Sequence, residues 1–67
     1  MIDITLNGAP HAVPAGQTLA QLIETLQLQH QSLALAVNRS VVPRQLWPAR
    51  MLVPQDQVDI VRAIGGG

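Results

Sequence analysis

The dipeptide Asn7-Gly8 directly follows the alternating run Ile2-Asp3-Ile4-Thr5-Leu6, and together they commit the start of the chain to a β-hairpin. Alternation with a period of two marks a half-buried strand, here with Ile2, Ile4 and Leu6 facing inward. Asn-Gly is the strongest short hairpin signal because both residues accept positive φ. The return strand is read as Ala9–Val13, ended by Pro14 and Gly16.

Thr18 starts a helix. Gln21, three residues on, completes a capping box in which each side chain satisfies a backbone N–H of the other. Leu19, Leu22, Ile23 and Leu26 recur at helical spacing, which predicts a helix over Leu19–Leu28 with one apolar stripe covering the sheet. Leu33–Val37 is too short an apolar run for a helix and is read as a buried, near-central strand. Asn38-Arg39-Ser40 is a turn and Val41-Val42 a short strand stopped by Pro43. Gln45-Leu46-Trp47-Pro48 is a single tight turn, and Pro54-Gln55-Asp56 a further turn after Met51-Leu52-Val53. Val58-Asp59-Ile60-Val61-Arg62 is the last strand. This order predicts one α+β domain over residues 1–67, a mixed sheet of four to five strands curled around one helix, with a right-handed crossover through the helix.

A chain of 67 residues buries only about 60% of the surface its unfolded form exposes. It has no cysteine, so neither a disulfide nor a thiolate-bound metal supports it. The core is therefore aliphatic, with Trp47 as the only aromatic residue. There is no lysine; Arg39, Arg44, Arg50 and Arg62 carry all the side-chain positive charge of the basic residues, and the formal net charge is zero. That balance does not predict nucleic-acid binding. No apolar run approaches the roughly 20 residues a membrane span needs, and the start lacks a signal-peptide pattern, so a cytoplasmic protein is expected.

The side chains offer no catalytic constellation. His11 and His30 are separated by the helix and have no acidic or cysteine neighbours in sequence, so no metal site is expected. Asp56 and Asp59 read as a turn residue and an exposed strand position rather than a carboxylate pair. Ser32 and Ser40 lie in turns with no local base, and no phosphate-cradling glycine loop precedes a helix. An enzyme is not expected. Trp47 reads as a cap on the core edge or as part of a partner surface, with the nearby arginines.

The final Gly65-Gly66-Gly67 has no folding explanation. Glycine loses the most backbone entropy on ordering, so residues 64–67 are expected to form a flexible tail. Without Cβ atoms such a tail threads a narrow channel, and Ile64–Gly67 spans roughly 13–14 Å when extended.

Ala36-Val37-Asn38, followed by Val42-Pro43-Arg44, Trp47 and the ending Val58–Arg62 with Gly65-Gly66-Gly67, resembles the β-grasp, ubiquitin-like sulfur carriers, most closely the ThiS carriers of thiamine biosynthesis. The likeness covers essentially the whole chain. One departure is Gln55-Asp56, where the family often has Gly-Asp before the last strand. The resemblance implies a carrier without bound cofactor, modified by partner enzymes. An E1-like adenylyltransferase (ThiF type) uses ATP to adenylate the Gly67 carboxylate. A cysteine-desulfurase relay supplies sulfur that replaces AMP, and the thiocarboxylate donates it to thiazole synthase (ThiG type). The alternatives are the small subunit of molybdopterin synthase or another sulfur carrier of the same fold, and a non-catalytic β-grasp binding module. Partner docking is expected on the sheet face opposite the helix, through Val61, Arg62 and Ile64, with Arg44 and Trp47. A chain with neither lysine nor cysteine also offers no ε-amine or thiol to its own activated terminus.

Overall fold

The computed structural model describes residues 1–62. Strands β1 (Ile2–Leu6), β2 (Ala9–Val13), β3 (Leu33–Val37), β4 (Ser40–Val42) and β5 (Gln57–Arg62) form one sheet in the order β2-β1-β5-β3-β4, with helix α1 (Leu19–Thr25) between β2 and β3 in sequence. The last strand is thus central. It runs parallel to β1 and antiparallel to β3, which makes the sheet mixed as expected.

Two tight hairpins frame it. Leu6 pairs with Ala9 across Asn7-Gly8, whose φ angles of 51° and 82° fit the predicted two-residue turn. Val37 pairs with Ser40 across Asn38-Arg39, at φ 52° and 70°. Ser40, expected in that turn, is the first residue of β4, because two residues in the left-handed region already reverse the chain. Pro10 falls on the edge strand β2, where its missing N–H can face solvent.

The capping box forms as read. Gln21 N–H donates to Thr18 Oγ1 at 3.2 Å and Thr18 N–H donates to Gln21 Oε1 at 3.0 Å; such caps contribute about 1 kcal/mol. The helix ends at Thr25, however, three residues before the expected Leu28. Gln27 adopts φ 60°, its N–H donates to the Glu24 carbonyl at 2.9 Å, and Leu28 N–H donates to the Ile23 carbonyl at 3.0 Å. This pair of bonds is a Schellman closure. Leu26 and Leu28 still pack on the core, so their apolar character did not distinguish helix from closure.

Leu19, Leu22 and Ile23 of the helix pack with Ile4, Leu35 and Val58 of the sheet. β3 is less buried than its unbroken apolar run suggests: Leu35 and Val37 are inside, while Ala34 is exposed. Small alanines on the outer face hid the alternation. Gln45–Pro48 is not one tight turn; Arg44–Leu46 is a 3-10 helix and Trp47 caps it, its N–H donating to the Arg44 carbonyl at 3.0 Å.

Gln55 sits at φ 71° in the turn before β5. A non-glycine residue there costs about 1–2 kcal/mol, partly offset by the greater freedom glycine gains on unfolding. Gln55→Gly is therefore expected to stabilise the domain by roughly 0.5–1 kcal/mol, read as a raised urea midpoint at unchanged m-value.

Candidate functional site

β5 carries the chain out of the core. Val58 is fully buried and Ile60 half-buried on the helix side, while Val61 is 62% exposed on the other. Register places Val61 opposite Ala34, Asp59 opposite Ala36, and Ala36 opposite Val41. Paired residues share a face, so these side chains form one patch on the sheet side away from the helix. Val41, at 74% exposure, is its outer edge. Among the described residues this is an apolar surface of small and branched side chains around one half-buried carboxylate, Asp59. Asp59 is less exposed than its strand position suggested.

Arg44 adjoins that patch: with Ser32, Leu33, Ala34 and Val61 it lines a shallow depression. Its guanidinium lies 4.8 Å from the Trp47 ring centre and donates to the Gln31 carbonyl at 2.9 Å. Trp47 itself is only 4% exposed, and its indole N–H donates to the Val42 carbonyl at 2.9 Å. Of the two readings of Trp47, its burial matches a core residue; what that corner presents to solvent is Arg44. Arg62 pairs with Leu33 and, by alternation, points to the opposite side of β5 from Val61. It borders a cleft with Leu6, Leu26, Leu28 and Ile60 at the open end of the core. Ile64, Gly65, Gly66 and Gly67 lie outside the described residues.

Asp56 is the residue whose importance the sequence reading missed. It is buried, not a simple turn position. Its Oδ2 accepts from Val53 N–H at 2.9 Å and pairs with Arg50 Nη2 at 3.3 Å, and its Oδ1 accepts from Asn38 Nδ2 at 3.1 Å. Asn38 in turn accepts from Gln57 N–H through Oδ1 at 3.0 Å and donates its own N–H to the Gln57 carbonyl at 2.8 Å. The Arg50 guanidinium also reaches the Met51 carbonyl. These bonds fix the start of β5 against the β3–β4 turn. A second side chain extends the other flank: Asn7 Oδ1 accepts from Ile60 N–H at 2.8 Å, one step beyond the last β1 pair.

All oxygens of Asp56 are thus engaged structurally. Among the described residues, no group of three His, Cys, Asp or Glu could hold a metal, and no helix is long and apolar enough to cross a membrane. His11 is half-buried on β2 and His30 exposed.

A mixed five-stranded sheet with its last strand central, curled on a single short helix, defines a β-grasp domain. The sequence profile of the ThiS family matches residues 4–67. The chain belongs to that family. It is 33% identical over 66 residues to the sulfur carrier protein ThiS of Escherichia coli, covering 98% of this chain and 100% of that one. It is 41% identical over 66 residues to a thiazole synthase of Magnetococcus marinus, again over 98% of this chain but spanning only 20% of that relative's length. The crystal structure of the thiamine biosynthesis protein ThiS from Geobacter metallireducens superposes with a TM-score of 0.86 at 25% identity, covering 98% of this chain and 100% of that one.

Proposed function

We propose that this chain is a sulfur carrier of thiamine biosynthesis, a carrier rather than a catalyst, and that the carboxylate of Gly67 is the group that changes chemically. The observation that carries the proposal is the match to the whole length of the E. coli carrier, together with a family match that runs through residue 67. A carboxylate is a poor electrophile because its oxygen does not leave. Its attack on the α-phosphorus of ATP, on an E1-like partner, expels pyrophosphate and gives a mixed anhydride. A persulfide from a donor relay then bonds through its outer sulfur to the carbonyl carbon, AMP departs with the electron pair, and a thiol reduces the resulting acyl disulfide, leaving a thiocarboxylate and a disulfide. A thiazole synthase is the proposed acceptor. The M. marinus relative supports this, since a protein of that name contains a segment similar to this chain within its own length.

The domain's part is to present the tail. The Asp56–Asn38 bonds anchor β5 at its start, and the Val61–Ala34–Ala36–Val41 patch gives a partner an apolar surface beside the tail exit. Val61→Asp places a charge where docking removes water, and is expected to slow activation about 10–100-fold. Because Val61 is mostly exposed, folding stability is expected to hold within about 0.5 kcal/mol. A pyrophosphate-release assay and a urea titration separate the two effects.

The carrier reading is tested by intact-mass measurement after incubation with ATP, an activating enzyme and a sulfur source. The expected result is a gain equal to sulfur replacing oxygen, mapped to the Gly67 peptide. Adenylation without that gain, or a gain elsewhere, would sink it.

A further inference from the structure

We propose that the exclusive use of arginine for basic side chains protects this domain from its own activated tail; the proposal rests on Gly67 being the activated residue. An adenylate or thioester at Gly67 is open to any free amine or thiolate. The nucleophile bonds to the carbonyl carbon, AMP or thiolate leaves with the electron pair, and an attacking amine gives its proton to solvent. With an amine the product is an amide, from which no sulfur can be loaded.

The tail's range follows from covalent geometry. Five residues beyond Arg62, at about 3.3–3.6 Å each, span at most about 17–18 Å. Two basic side chains lie well within that radius. Arg62 is the last residue of β5, and Arg44 lines the depression that also holds Val61 and Ser32. A guanidinium stays protonated at neutral pH and does not attack acyl groups. A lysine with an ordinary pKa is about 0.4% free amine at pH 8, and tethered beside the tail it would act at an effective concentration on the order of millimolar. The contacts Arg44 makes, a cation over the Trp47 ring and a donor to the Gln31 carbonyl, do not by themselves demand arginine. The chain has no lysine or cysteine at any of its 67 positions.

Topology contributes the second half. Thr5 lies opposite Gln57 in the parallel pair, so Met1 is four residues before that row and Arg62 five after it. Nine residues at about 3.3 Å put them about 30 Å apart. An amine on Met1 is out of the tail's range because β1 and β5 run the same way.

The test needs no partner enzyme. The Gly67 thioester of the full chain, made by intein cleavage with a simple thiol, is held dilute at pH 8 and followed by intact mass. The wild-type protein is expected to yield only the hydrolysed acid. Arg44→Lys and Arg62→Lys are expected to lose the thioester severalfold faster, giving a ring-closed monomer lighter than the acid by one water. Ala15→Lys adds an amine beyond Val13, which lies opposite Ile2 and so about 26 Å from Arg62 along the strands; it is expected to decay at the wild-type rate. Circular dichroism verifies folding of each variant. Ring closure in the wild-type protein, wild-type decay in both near variants, or equal ring closure in Ala15→Lys would each overturn the proposal. The ATP-dependent mass gain tests the carrier reading separately, so the two can fail independently.

Discussion

A chain lacking Gly66 and Gly67 is expected to fold as the full chain does and to carry no sulfur. The described core draws on residues between Ile4 and Val58, nine residues short of Gly67, so removing the last two should change stability by less than about 0.5 kcal/mol. Activation, by contrast, requires the carboxyl carbon at the reacting phosphate. Two residues fewer withdraw it by about 7 Å, and a displacement of even 1 Å from productive geometry can cost about 100-fold. The expected result is loss of the ATP-dependent mass gain with an unchanged unfolding curve. A truncated chain that still acquires sulfur would move the reactive group away from Gly67.

The second large effect is on folding. Asp56→Ala removes the acceptor for Val53 N–H, Asn38 Nδ2 and Arg50 at once. Val53 and Asn38 are themselves exposed residues and water can reach the freed donors, so each lost bond costs about 1 kcal/mol. Arg50 adds little, because its side chain is 32% exposed and water can take the place of the carboxylate. A total of roughly 2 kcal/mol is expected from the Val53 and Asn38 bonds. For 67 residues the whole stability is roughly 3–10 kcal/mol, so the variant should lose between about a fifth and two-thirds of it. Asp56→Asn keeps an acceptor and most of the volume and should lose less than half as much. Urea unfolding of the two variants measures the difference; equal losses would mean that charge, rather than the hydrogen bonds, dominates at this position.

Much of this architecture was legible because local chemistry and final structure agree. Asn7-Gly8 favours positive φ and has it, and Thr18 and Gln21 cap the helix as their spacing predicts. The inward row of β5 followed from alternation alone. The failures lie where a residue type is ambiguous. Leucine at 26 and 28 serves a helix stripe or a closing loop equally well, and alanine at 34 reads as core although it faces water. The family's Gly-Asp turn appears as Gln55-Asp56, yet Gln55 still adopts the left-handed conformation that glycine favours. The role of Asp56 depends on Asn38, eighteen residues away, and on Arg50 across a loop. No local pattern signals such a network; residue types mark Asn38 only as a turn position. Trp47 stood out as the only aromatic residue, but which of its two readings holds is a matter of packing that spacing does not encode.

The central position of β5 has a consequence for how the molecule is made. The hairpins β1–β2 and β3–β4 are local and can form early, but β5 joins them, pairing Gln57 with Thr5 across 52 positions of sequence. Such long-range pairing must offset the entropy of closing a long loop, so sheet closure is expected after the local hairpins. During synthesis the strand that completes the sheet is among the last segments to appear. A partner that recognises the assembled outer face, with Val61 of β5 beside Ala34 of β3, therefore recognises a chain whose synthesis has already reached the threshold of the tail. A chain that ends before β5 is therefore expected to lack the outer face, whereas one shortened only within the last glycines is expected to keep it.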